Sequence, residues 1–281
     1  MSVAVVLNVH DGVILAADSA STLIVSGAQP GPQVANVYNN ANKIVNLFKG
    51  QPIGCVTFGA GSIGDASITT LLKDFRAKLV QKQYFEISSY SMEGVATKLG
   101  EFLIEECQNL PTSTVQPTLG LFLAGYSTDK RLGERWSLYI ENGQLRGPEM
   151  LHKLEDAGIS WGGDGGDAIA RLLLGYGNKL PEIVRNAVRP EHAGESLLQL
   201  LTAQLATPVM FAPMPIQDAI DLAEFLVHTA IQFSRFTPGA QVVGGPIEIA
   251  AITKHEGFKW IQRKHYYSAD LNRELLHRIT H

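Results

Sequence analysis

The chain has 281 residues, 45% of them hydrophobic and 18% charged, which is the composition of a folded protein able to bury its own core. A net charge of −4 with no Lys/Arg-rich run gives no sign of a basic face, and no nucleic-acid partner is expected. No apolar run approaches the roughly 18 residues of a membrane span, and no basic segment precedes an apolar stretch at the N-terminus, so a soluble, cytoplasmic protein without membrane contact is expected.

In chain order, Val3–Val9 and Val13–Ala17 are apolar runs separated by the turn dipeptide Asp11-Gly12. They predict a hairpin of strands 3–9 and 13–18, which folds Asp18 back toward the end where the chain starts. Ser2 heads the first of these strands. If Met1 is removed, which a small second residue permits, Ser2 owns both a hydroxyl and an α-amine. An amine of reference pKa about 7.7–8.0 can take the hydroxyl's proton near neutral pH. One residue then supplies nucleophile and base.

The Gly/Pro/Asn-rich span 26–41 reads as a loop insertion, and strands follow at 43–48 and 53–58 with a glycine turn after them. Ile68, Leu71, Leu72, Phe75 and Leu79 recur at helical spacing, as do Val95, Leu99, Phe102 and Leu103, predicting two amphipathic helices. A strand pair is expected at 119–126 and 136–141. Gly162-GDGG-Asp167 fits neither a P-loop nor an EF-hand and reads as a strand-to-helix turn capped by Asp164 or Asp167, with a helix to about Leu174. A helical insertion is expected over about 181–215: a loop from Pro181 to Pro190, a helix over 195–206 and a Pro-rich joint. A long helix carries Ile216, Ala219, Ile220, Ala223, Val227 and Ile231, and strands return at 246–253 and 257–262. The tail from about His265 is open between helical and mobile. No linker divides the chain, so one domain over 1–281 is expected, and strand blocks alternating with helix pairs make it α+β. Cys55 and Cys107 lack disulfide or zinc spacing and are expected as buried free thiols, and the eight histidines form no H-E-x-x-H pair. No metal or cofactor is anticipated.

The opening carries a family resemblance. Ser2 at the head of an apolar strand, the Asp-Gly turn, and Gly12-VILAAD-Ser19 with Asp18 sixteen positions after Ser2 resemble proteasome β-subunits and their bacterial relatives, among the N-terminal-nucleophile hydrolases. Asn42-KIVNL-Phe48 resembles that family's lysine-bearing strand, through a longer connection, and Ile53-GCVTFGAG-Ser62 its oxyanion strand and turn. The late strand pair after the long helix also matches in order. The resemblance implies a four-layer αββα sandwich of two packed antiparallel sheets flanked by helices. It implies a catalytic set of Ser2, Asp18, Lys43 and Gly59, with Ala60 the next match for the oxyanion N–H, and substrate-binding Thr22, Ser21 and Thr57. The physical logic is that a buried ammonium at Lys43 lowers the hydroxyl's proton affinity while Asp18 keeps it charged. It further implies peptide-bond hydrolysis, self-assembly into a ring or open helical stack, and an unspecified ATPase partner. The chain departs from the family in having Ser where Thr is usual, and Ala240 and Val243 where an Asp and a Ser usually support the amine. A catalytically silent self-assembling scaffold and an amidase for a small amide stay open as alternatives.

Overall fold

The computed structural model describes residues 2–26, 32–81, 86, 88–112, 114–152, 157–187 and 194–264. The first two apolar runs form β1 (Ala4–Val9) and β2 (Gly12–Ala17), joined by a two-residue turn at His10 and Asp11 that sets Val9 opposite Gly12 and Ala4 opposite Ala17. Every residue of both strands is buried. Their continuous rather than alternating hydrophobicity follows, because both faces are covered.

Two five-stranded antiparallel sheets organise the chain. The first runs β12 (Gly158–Gly162), β1, β2, β13 (Glu248–Thr253), β14 (Gly257–Gln262). The second runs β11 (Gln144–Met150), β10 (Glu134–Glu141), β9 (Leu119–Gly125), β6 (Ile53–Gly59), β5 (Ile44–Asn46). Along β1 the side chains sort by parity, as a strand's period of two requires. Ala4 and Val6 pack with Val56, Phe58 and Phe122 of the other sheet, whereas Val5, Leu7 and Val9 pack with α3 (Gly166–Leu174) and α6 (Ile216–Phe236). On the second sheet, Cys55, Leu121, Leu123 and Leu138 meet α1 (Ile68–Gln81) and α2 (Met92–Gln108). The start of α2 is capped by Ser91, whose Oγ accepts from the Gly94 amide at 3.1 Å. Both cysteines are buried free thiols.

Several elements differ from the sequence expectation. The span 26–41 is not a loop throughout: β3 (Ser21–Ser26) pairs with β4 (Pro32–Tyr38) as a hairpin, Pro32 standing at the strand's start where its missing N–H costs least. The loop expected after Pro181 contains α4 (Leu180–Ala187), with proline in the first turn, where a helix tolerates it. The helix expected at 195–206 is α5 (Gly194–Leu205). The strand expected at 43–48 shortens to β5. β11 and β12 are not expected from the sequence either. β11 carries Gly147, Pro148 and polar residues and lies at a sheet edge, and β12 is bounded by glycines and pairs with the edge that β1 would otherwise leave open. Neither Asp164 nor Asp167 caps α3: its N-cap is Gly165, without a side-chain bond, while Asp167 pairs with Arg171 at 2.8 Å. The short hairpin of β7 (Ser62–Ile63) and β8 (Ala66–Ser67) leads into α1. The C-terminal tail from His265 lies outside the described residues. Among those described, no helix is long and apolar enough to cross a membrane.

Candidate active site

Phe58 locks the two sheets together where the candidate residues meet. Its ring lies where Cβ atoms at Gly120 of its own sheet and at Gly162 of the other would be, 2.2 and 2.3 Å from those positions. Gly120 of β9 and Gly162 of β12 therefore make room for the Phe58 ring between the sheets, and the next residue, Gly59, is carried to the N-terminal end of β1. The Gly59 amide donates to Ser2 Oγ at 3.1 Å. Gly59 has φ +90°, and a Cβ there would stand 2.6 Å from the Thr118 carbonyl, so only glycine presents its N–H in this way.

Ser2 is buried and held from three sides. Its carbonyl accepts from the Gly165 amide at 3.1 Å. Gly163, at φ +87°, packs so closely that a Cβ would fall 2.2 Å from the Ser2 carbonyl oxygen and 3.3 Å from its Oγ. The segment that read as a mere turn thus forms one wall beside Ser2.

Asp18 follows β2 and is fully buried. Its Oδ1 accepts from the Val3 amide at 2.9 Å and its Oδ2 from those of Ala20 at 3.1 Å and Gly244 at 3.0 Å. The Lys43 ammonium donates to Asp18 Oδ1, closing a buried ion pair. Lys43 precedes β5, and its carbonyl accepts from the Thr57 amide at 3.0 Å, which fixes its backbone against β6. Burial pulls the Lys43 ammonium below the ordinary lysine value, against the neighbouring Asp18 carboxylate, which favours the charge.

Ser2, Lys43 and Gly59 line one cavity of about 380 Å³, together with Ser21, Thr22, Thr57 and Ala60. Asp18 stands behind Lys43 and does not line it. Thr22 Oγ1 is buried and has no hydrogen-bond partner among the described residues. Thr22 and Ser21 belong to β3, whose paired edge is taken by β4 alone. The structure thus brings the sequence-predicted residues to one place. Val243 is buried and apolar and Ala240 exposed, so neither offers a polar side chain; the adjacent Gly244 reaches Asp18 through its backbone.

Sequence reasoning missed a second buried ion pair beside the first. Lys264, just past β14, forms an ion pair with Glu248 Oε2 at 3.1 Å and donates hydrogen bonds to Ser19 Oγ and to the Ala41 carbonyl, both at 2.6 Å. Ser19 Oγ in turn donates to the Pro246 carbonyl at 2.6 Å. Lys264 therefore ties the segment after Asp18 and the segment before Lys43 to β13. No local pattern could have revealed it, since Lys264 lies 245 positions from Ser19. Burial lowers the Lys264 pKa, opposed by Glu248. Lys264→Met is expected to cost about 3–5 kcal/mol in urea unfolding, because Glu248 is 1% exposed and would be left without a cation. Pairing it with Glu248→Gln should recover part of the loss.

A hydroxyl that meets a backbone N–H donor, next to a buried ammonium–carboxylate pair, is suited to developing and stabilising negative charge on oxygen. Among the described residues there is no cluster of His, Cys, Asp and Glu that could hold a metal ion. No protein-family model matches the chain, and no curated protein matches it in sequence. Among solved structures it is similar to Anbu (ancestral beta-subunit) from Yersinia bercovieri, with a TM-score of 0.52 over 99% of this chain and 94% of that one, at 13% identity. At that identity the likeness is one of fold, and the fold is proteasome-like.

Proposed function

We propose that the chain is an N-terminal-nucleophile hydrolase that cleaves peptide bonds through Ser2 after Met1 is removed. The observation that carries the reading is the contact of Ser2 Oγ with the Gly59 amide at 3.1 Å in a cavity that also receives Lys43. In this reading Ser2 Oγ attacks the substrate carbonyl carbon, and its proton passes to its own α-amine. The Gly59 N–H, bonded to Oγ at rest, takes over the carbonyl oxygen as that becomes anionic. Lys43, kept charged by Asp18, lowers the cost of that charge. The amine then gives its proton to the leaving nitrogen, and water hydrolyses the ester. Ser21, Thr22 and Thr57 border the substrate, which adds as an extended strand along the open edge of β3.

The chain is read as one domain over 1–281 whose two sheets and flanking helices stack as an αββα sandwich. It is cytoplasmic and self-associates as a ring or helical stack, the assembly suggested by a proteasome-like fold. The test is direct. Intact mass of the protein from its natural host should show Ser2 as the first residue, fluorogenic peptides should be hydrolysed, and an electrophile that bonds to a hydroxyl and amine together should map to Ser2. Retained Met1 would remove the mechanism.

That outcome would favour a catalytically silent, self-assembling scaffold, a reading supported by the apolar Val243 and Ala240 where polar support of the amine is missing.

The pH dependence has a definite sign. The α-amine must be unprotonated to act as base, so kcat/KM should rise through the range of an ordinary α-amine, about 7.7–8.0. Lys43 must be protonated, so the rate should fall on the alkaline side below 10.5, the usual lysine value from which burial draws Lys43 down. Lys43→Ala should reduce turnover by about a thousandfold while the protein stays folded, since Asp18 keeps its three amide donors. Wild-type turnover in that variant would refute its role.

A further inference from the structure

The cavity around Ser2 continues into a second, also of about 380 Å³; Asn42, Thr69 and Lys73 line both. Four cationic side chains from separate parts of the chain border this extension. Lys49 comes from the turn after β5, Lys73 and Arg76 from α1, and Arg263 from the end of β14. None of the four is in an ion pair among the described residues. Arg76 donates to the Asn46 carbonyl at 3.2 Å, and the Arg263 guanidinium lies over the Trp260 ring, 4.7 Å from its centroid. Among the described residues, the one carboxylate lining the recess is Glu248, which is engaged by Lys264.

Four uncompensated cations gathered in one recess oppose one another, in a chain whose net charge is −4. Their mutual repulsion is relieved by an anion, and a concave wall of one sign focuses the field on it. Lys73 lines both cavities, so the recess adjoins the cleft at Ser2 and one extended ligand can reach both.

We propose that this recess selects acidic peptides: Asp or Glu side chains of the substrate, within a few residues of the bond presented to Ser2, are held by Lys73, Arg76, Lys49 and Arg263. The proposal rests on the peptide-hydrolase reading of the cleft and names its substrate class. The recess discriminates through charge, so its contribution falls as salt screens it, with a Debye length of about 10 Å at 0.1 M.

The test uses the full chain with Ser2→Ala, so that bound peptide is not consumed, and three fluorescein-labelled peptides differing only in Glu, Gln or Lys at the same alternating positions. Anisotropy titration should show the Glu peptide binding at least about tenfold more tightly than the Gln peptide, and the Lys peptide most weakly. Raising salt from about 0.05 M to about 0.5 M should shrink the difference. Lys73→Gln with Arg263→Gln should abolish the preference, and Lys73→Glu with Arg263→Glu should reverse it. Lys73 and Arg263 are both exposed, and an unchanged unfolding midpoint shows that each variant is folded.

Equal affinity for the Glu and Gln peptides, or a preference that survives both double substitutions, overturns the proposal. So does inorganic phosphate that saturates the recess by itself without displacing the Glu peptide, since the peptide would then be held elsewhere. If wild type hydrolyses no peptide while the Glu preference holds, the hydrolase reading falls and the recess stands as an acidic-peptide site. If wild type hydrolyses peptides while Glu and Gln bind alike, only the acidic selectivity falls.

Discussion

Ser2→Ala is expected to abolish peptide hydrolysis, a loss on the order of a millionfold in kcat where a covalent nucleophile is removed, with the fold retained. The structural cost is small because Ser2 Oγ has one partner among the described residues, the Gly59 amide at 3.1 Å, and a single such bond contributes about 1 kcal/mol. Ser2→Thr discriminates more finely. The β-methyl confines χ1, so the hydroxyl is already oriented where serine must be ordered during attack. Activity within about tenfold of wild type, roughly 1.4 kcal/mol of barrier, is therefore expected. Steady-state kinetics on fluorogenic peptides, with the unfolding midpoint as control, check both variants. Hydrolysis that persists in purified Ser2→Ala protein would place the chemistry elsewhere.

Asp18→Ala should act on the fold before it acts on the rate. The side chain is fully buried and gathers the amides of Val3, Ala20 and Gly244 with the Lys43 ammonium. Removing it leaves three buried N–H groups at about 1–3 kcal/mol each and strands a buried ammonium. The sum, about 5 kcal/mol or more, rivals the whole stability of a typical domain. Insoluble protein, or a urea midpoint far below wild type, is the expected result. Asp18→Asn keeps the shape and one acceptor oxygen, so it should fold better while losing the charge that favours ionised Lys43. If Asp18→Ala unfolds at the wild-type urea concentration, Asp18 does not organise this end of the protein.

Much of the architecture was legible because it is local. The hairpin of β1 and β2, the helices α1, α2 and α6, and the pair β13 and β14 each carry an apolar period or turn dipeptide within a few residues, which side-chain geometry converts directly into an element. β4, β11, β12 and α4 escaped for the opposite reason. Gly147 and Pro148 in β11, the glycines of β12 and Pro181 in α4 are breakers by local rule. Each forms its element because a sheet edge or a helix's first turn accepts what an interior would reject.

The candidate site divides in the same way. Ser2 and Asp18 could be marked from the first hairpin, which brings Asp18 back to the start of the chain, whereas Lys43 and Gly59 are marked through the family resemblance. Their relation to one another belongs to the tertiary structure, which sets β6 of one sheet against β1 of the other and lets the Gly59 amide reach Ser2 Oγ. The same holds for the Gly244 amide on Asp18, the Lys264–Glu248 pair, and the four cations around the recess beside Lys73. Charge and hydrogen bonding act over a few ångströms of space whatever the separation in sequence, so a contact such as that of Gly244 with Asp18, 226 positions apart, leaves no local pattern to read.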